Sequence, residues 1–253
     1  MNNCIRVKKE RVTFMRGLIK YHIQQYFKTS KFVMPLAVFI IMLYSIYSTR
    51  PIGIVESFVS ASQFLFLVMV WTGITACDVE DSVSEQILVL RVKSAGKYYL
   101  SRTLFLVILG AAISTFVLVT AMLQVVIHGS GFFSRPVLTA DFLFGFVLLM
   151  LSAFCGSSLG ELSHPRIIRR RKNAVLIIFL AAALAMIKMV FLERFPFSQV
   201  ILWVIPPISE MSMIFSGQEY FSMNSIAQAA ALLTASAAVL NAIKLTVLIK
   251  NRF

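Results

Sequence analysis

Polar and apolar residues segregate into blocks along this chain. Six blocks are almost wholly apolar: 32–48, 54–76, 104–127, 142–159, 174–192 and 225–249. A helix needs roughly 20 apolar residues to cross the hydrocarbon core of a bilayer. Each block is near that length. Inside lipid the backbone must satisfy its own hydrogen bonds, which makes helices the natural spanning form. A spanning β-barrel would instead show alternating segments of roughly ten residues, and none is visible. The pattern therefore predicts an all-α polytopic membrane protein with six transmembrane helices.

Three segments outside the blocks carry their own signals. In 4–30, Val12, Met15, Ile19, Ile23 and Tyr26 recur at three- and four-residue steps, with Glu10, Thr13, Gly17, Lys20, Gln24 and Lys28 opposite. This predicts an amphipathic N-terminal helix within 1–31, lying in the interface with its apolar stripe inward. The bland alternative is an arm packed on its own protein. The 32–253 remainder forms the membrane domain. Its loop 77–102 holds Ser82 followed by Glu85, a capping-box signal for a helix start. Asp78, Glu80 and Asp81 precede that start, and Arg91 and Lys93 lie at the far end, both matched to a helix dipole. Gly96 is the expected stop. Val83, Ile87, Leu88, Leu90 and Val92 give this short helix apolar residues with no bilayer of their own, so they must pack on this protein or on a partner. The segment 193–224 is unusually apolar for a loop. Its run from Phe195 to Ile205 is broken by Pro196 and Pro206–Pro207, too short to span, and predicts a re-entrant or interfacial piece with Trp203 near the headgroups.

Charge sets the orientation. Of 24 Lys and Arg residues, 20 fall on one side of the six-span arrangement. They are concentrated in the N-terminal arm, in 91–102, in 166–172 and at the end of the last block. The opposite side carries Arg50, Arg135 and Arg194, and Lys188 lies inside the fifth block. Positive-inside bias predicts both termini in the cytoplasm of a multi-pass cell-membrane protein. With a net charge of +13 gathered at that face, anionic lipids are the expected partner and nucleic acid is not.

Candidate chemistry is sparse. There is no phosphate-binding loop, so no ATP hydrolysis is expected in this chain alone. His22, His128 and His164 stand isolated, and Cys4, Cys77 and Cys155 lack metal-ligand spacing; the cysteines read as reduced and structural. No bound metal or cofactor is expected. Gly156-Ser157-Ser158-Leu159-Gly160 matches G-x-S-x-G, but it coincides with the small-residue repeat Ser152, Gly156, Gly160, which favours close helix packing over a nucleophile. Ala227, Ala231 and Ala235 repeat in the same way. Lys188 reads either as a residue of a translocation path or as a snorkelling side chain. Glu56 reads as an interfacial carboxylate.

The closest motif lies in Asp78-Val79-Glu80 through Glu85-Gln86-Ile87-Leu88, then Ser94-Ala95-Gly96-Lys97-Tyr98-Tyr99-Leu100-Ser101-Arg102. Together with the six spans, the N-terminal helix and the Pro-broken segment, it resembles the permease subunits of ABC exporters. The similar class bears one six-span domain per chain and pairs with a separate ATPase. Many members keep a proline where Ser94-Ala95 stand here. The resemblance implies a dimer with a second copy or homologue, and a nucleotide-binding ATPase partner that holds ATP with magnesium. It makes Glu80, Ser82, Glu85, Ile87, Leu88 and Arg91 an ATPase-coupling helix. The implied cargo is a peptide, drug-like or lipid-like molecule moved outward. Two other classes fit the same pattern: a membrane-embedded enzyme, and a non-transporting immunity or scaffold protein.

Overall fold

The computed structural model describes residues 2–92, 94–129, 131–195, 197, 202 and 205–250, with side chains from Met15 onward except that of Ser82. The helices are α1 (Asn2–Lys28), α2 (Val33–Ile46), α3 (Ile54–Cys77), α4 (Ser82–Val92), α5 (Ala95–His128), α6 (Thr139–Glu161), α7 (Arg171–Arg194), α8 (Ile208–Ile214) and α9 (Met223–Lys250). Five of them, α3, α5, α6, α7 and α9, are long and apolar enough to cross a membrane. The chain is thus an all-α polytopic membrane protein.

The first apolar block behaves differently. Its helix α2 has 14 residues, about 21 Å at 1.5 Å per residue. It joins α1 across a 79° bend, and only the bent pair together passes as a sixth span. The bend is made at Thr29–Phe32, where Ser30 takes a left-handed φ of 53°.

Helices α3 and α6 form the central pair. A Cβ at Gly73 would lie 2.8 Å from the Ser157 carbonyl, and one at Gly145 would lie 2.8 Å from the Phe58 ring. A Cβ at Gly156 or Gly160 would strike the backbone carbonyl of Phe66 or Val70. The small-residue repeat of α6 therefore seats the α3 backbone directly, as its spacing predicts. The Ala227, Ala231 and Ala235 repeat of α9 does not act in this way. Those three are exposed, while Ala229, Leu233 and Ala237 on the opposite face enter the core.

Two sequence-based boundaries move. Gly96 does not stop the loop helix: α4 ends at Val92, and Gly96 sits in the first turn of α5. The break instead precedes Ala95, at Ser94, whose backbone is extended (φ −156°, ψ 107°). Helix α5 consequently runs 34 residues, about 51 Å, and carries Tyr98, Tyr99 and Arg102 as an extension beyond the span proper.

The Pro-broken segment contributes α8, which turns back into the bundle. Ile208 and Met211 are fully buried there, and Met211 Sδ accepts from Ser62 Oγ at 3.8 Å and Ser152 Oγ at 3.7 Å. Trp203 and Pro196 lie outside the described residues.

Candidate functional site

The helix termini that carry most of the basic residues gather at one end of the bundle, with α1 and α4 laid across them. Here lies a polar network whose inner members are buried. Its lower layer joins three spans. Lys244 of α9 donates to Glu161 Oε2 of α6 at 2.7 Å and to Thr103 Oγ1 of α5 at 2.6 Å, with Asn241 Oδ1 at 2.8 Å. Both charged side chains are almost wholly buried. An unpaired charge would be costly at this depth, and the pair together with its hydrogen bonds makes the burial tolerable.

The upper layer fixes α4. Glu85 points inward and accepts from the Tyr99 hydroxyl at 2.8 Å, with His164 Nε2 at 3.4 Å and Arg166 at 3.5 Å. Burial alone would raise this carboxyl, but the hydrogen bond and charge of His164, the Arg102 charge and the Tyr99 hydroxyl outweigh it and hold it at about 2. Burial pushes His164 below its ordinary value. Glu80, just ahead of α4, receives the Tyr98 hydroxyl and pairs with Arg102 at 3.5 Å. Burial raises its carboxyl although Arg102 pulls the other way. Two further ties close the layer. Arg171 pairs with Asp78, and Lys31 donates to the Asp78 carbonyl at 3.0 Å.

Helix α1 covers the side of this network. Leu18, His22 and Tyr26 are buried, with Met15, Ile19 and Ile23 half-buried beside them, while Gly17, Lys20, Gln24 and Lys28 face out. The inward row is therefore Leu18, His22 and Tyr26, seated on this chain's own α5; of the expected stripe only Tyr26 is buried, and the Val12 side chain lies outside the described ones. His22 lies 3.1 Å from Ser101 Oγ, and Tyr26 lies 3.2 Å from Thr75 Oγ1 of α3.

The residues expected to couple to a partner divide into two faces. Leu88 and Val89 pack inward near Tyr98, Tyr99 and Leu248. Val83, Ile87 and Leu90 form the outward row, between 57% and 72% exposed. Arg91 is exposed beside them. So Glu80, Glu85 and Leu88 anchor the helix, whereas Ile87 and Arg91 are presented by it. The Ser82 side chain lies outside the described ones, although α4 does begin at that residue.

Lys188 lies elsewhere. Its ammonium meets Glu210 Oε1 at 2.7 Å and the Ile205 carbonyl at 3.4 Å, tying α7 to α8. Ser158 donates to the Phe154 carbonyl and accepts from the Asn241 amide at 2.6 Å. Cys77 and Cys155 are free and buried.

Sequence reasoning missed the inner partners Tyr98, Tyr99, His164, Glu161 and Lys244. A signal existed for two of them: Glu161 and Lys244 are charges at the ends of apolar blocks. No known protein family matches the chain, and no characterised protein or solved structure does either.

Proposed function

We propose that this chain is the membrane subunit of an ATP-driven exporter of the ABC class, and that a separate ATPase docks on α4 at the cytoplasmic face. The observation that carries this reading is the outward row Val83, Ile87 and Leu90, held on a helix that belongs to no span. A row at i, i+4 and i+7 is one helix face. Solvent-facing apolar side chains in this arrangement gain by burial under a partner. The clamp beneath supports the same reading. Glu85 joins α4 to Tyr99 of α5 and to His164 after α6, so a push on α4 reaches two spans.

The rest of the proposal follows from charge. Twenty basic residues on one side of the six-span arrangement support a cytoplasmic position, in a cell membrane, for the α4 end and both termini. Exposed Arg16, Lys20 and Lys28 on α1 suit anionic headgroups. ATP and magnesium belong to the partner, and a second copy or homologue completes the path through which a peptide, drug-like or lipid-like cargo leaves.

The test separates the two faces of α4. Affinity purification of the tagged chain from its own membranes should bring down an ATPase. Ile87→Ala with Leu90→Ala removes five methyl or methylene carbons, each worth about 0.8 kcal/mol when covered, and should release that ATPase while the chain stays folded. Leu88→Ala should instead loosen α4 on its own protein. If no ATPase co-purifies, or the double variant retains it fully, the exporter reading fails.

A further inference from the structure

A cavity of about 490 Å³ opens at the end of the bundle opposite α4. One polar helix face and a polar turn build it. From α3 and its N-terminal flank come Gly53, Glu56, Ser60 and Gln63; from α8 and the turn after it come Ser212, Ser216 and Glu219. The α3 set recurs at three- and four-residue steps, the spacing of one helix face. Such a face is unexpected at the head of a span, where lipid or core would favour apolar residues. Gln63 lies nine residues past the start of α3, so the cleft reaches roughly 14 Å down that helix. Val59 and Phe215 add an apolar wall.

The sign of this cleft is opposite to that of the chain. Its lining holds two carboxylates and no basic side chain, in a protein of net charge +13. Glu56 makes no hydrogen bond or ion pair among the described residues, and the Glu219 carboxylate has no ion pair among them. Arg135 is the nearby base, and it is already engaged. Its guanidinium is bidentate on Asp141, at 2.8 Å for both bonds, while its Nε donates to the Glu219 carbonyl and its plane lies 3.9 Å over Tyr220. Half-buried Gln218, on the same wall, has an inaccessible amide oxygen with no hydrogen-bond partner among the described residues. A concave site lined by one sign of charge concentrates the opposite sign, and its volume is that of a small-molecule pocket.

We propose that this cleft binds an organic cation: a primary amine, paired with Glu56 and Glu219, whose apolar body rests on Val59 and Phe215. The assignment stands apart from the ATPase reading, because binding is a property of this chain alone.

Dansylcadaverine, an amine on an apolar ring system, is a suitable probe, with its N-acetylated and uncharged form as the control. The full chain is placed in nanodiscs of phosphatidylcholine, which carry no net charge. Saturable fluorescence binding at one site per chain is expected, at least tenfold weaker for the acetylated probe. Glu56→Gln and Glu219→Gln should each weaken the amine about tenfold or more while leaving the acetylated probe unchanged. Ser212→Trp, which fills the cavity without altering its charge, should abolish both. Equal affinity for the two probes, or unaltered amine binding in the two glutamine variants and in Ser212→Trp, would overturn the proposal. An intact thermal transition in each variant shows that a loss comes from the site and not from unfolding.

Discussion

Lys244 shows what one residue does when its partner lies 83 positions away. Its ammonium is nearly inaccessible and meets Glu161, Thr103 and Asn241 within 2.8 Å. Removing one member of such a pair leaves the other charge buried and unmatched, at a cost of about 3–5 kcal/mol. Lys244→Met should therefore lower the thermal midpoint of the detergent-solubilised chain sharply. Glu161→Gln added to it should recover much of the loss, since no lone charge remains. Equal destabilisation by the single and double changes would show that the pair contributes through packing alone. Lys188 is the parallel case at the opposite end, where Glu210 receives it. Neither lysine reaches toward headgroups as a free side chain, because each has a carboxylate closer at hand.

At the scale of elements, close approach of α3 and α6 depends on residues with nothing beyond Cα. Gly156 has the Phe66 carbonyl in the place a Cβ would take, and the obstacle is backbone, which cannot rotate away. Gly156→Ala should cost at least about 1–3 kcal/mol, the range for overpacking a filled core. Gly17 of α1 has open space around it, so Gly17→Ala should be neutral or stabilise by about 0.5–1 kcal/mol. Thermal unfolding of the two variants side by side distinguishes packing from helix propensity. Helix α4 illustrates the same dependence. It starts at Ser82, where the sequence puts it, but Glu85 does not turn back as a capping residue: the receptors below, Tyr99 and His164, draw Glu85 and Leu88 inward and leave Ile87 outward.

For the whole molecule, polarity is graded from end to end. Basic residues, α1 and α4 occupy one end, while the cleft with Glu56 and Glu219 occupies the other. If the basic end is cytoplasmic, an impermeant maleimide applied to intact cells should label Ser134→Cys and Ser216→Cys but leave Gln86→Cys untouched. All three positions are exposed. A Cys4→Ser background leaves Cys77 and Cys155, both buried. Labelling of Gln86→Cys with protection of the other two would invert the topology.

The apolar blocks, the helical form of the spans and the start of α4 are all readable from order alone. Each depends on neighbours within a few turns, or on a solvent preference that acts on every residue separately. Basic bias among the loops is legible for the same reason, and it motivates the proposed orientation. Contacts across distance are not written in that way. Glu161 and Lys244 look like two unrelated termini until α6 and α9 come side by side, and Glu56 looks like an ordinary interfacial carboxylate until α8 folds back beside it. The face an amphipathic helix presents depends on which neighbour offers the better partner, and hydropathy is blind to that choice. For α1 the neighbour is α5, and for α4 it is the buried network above the spans. Burial, pairing and cavity shape arise from packing between segments, and packing exists only once the chain has closed on itself.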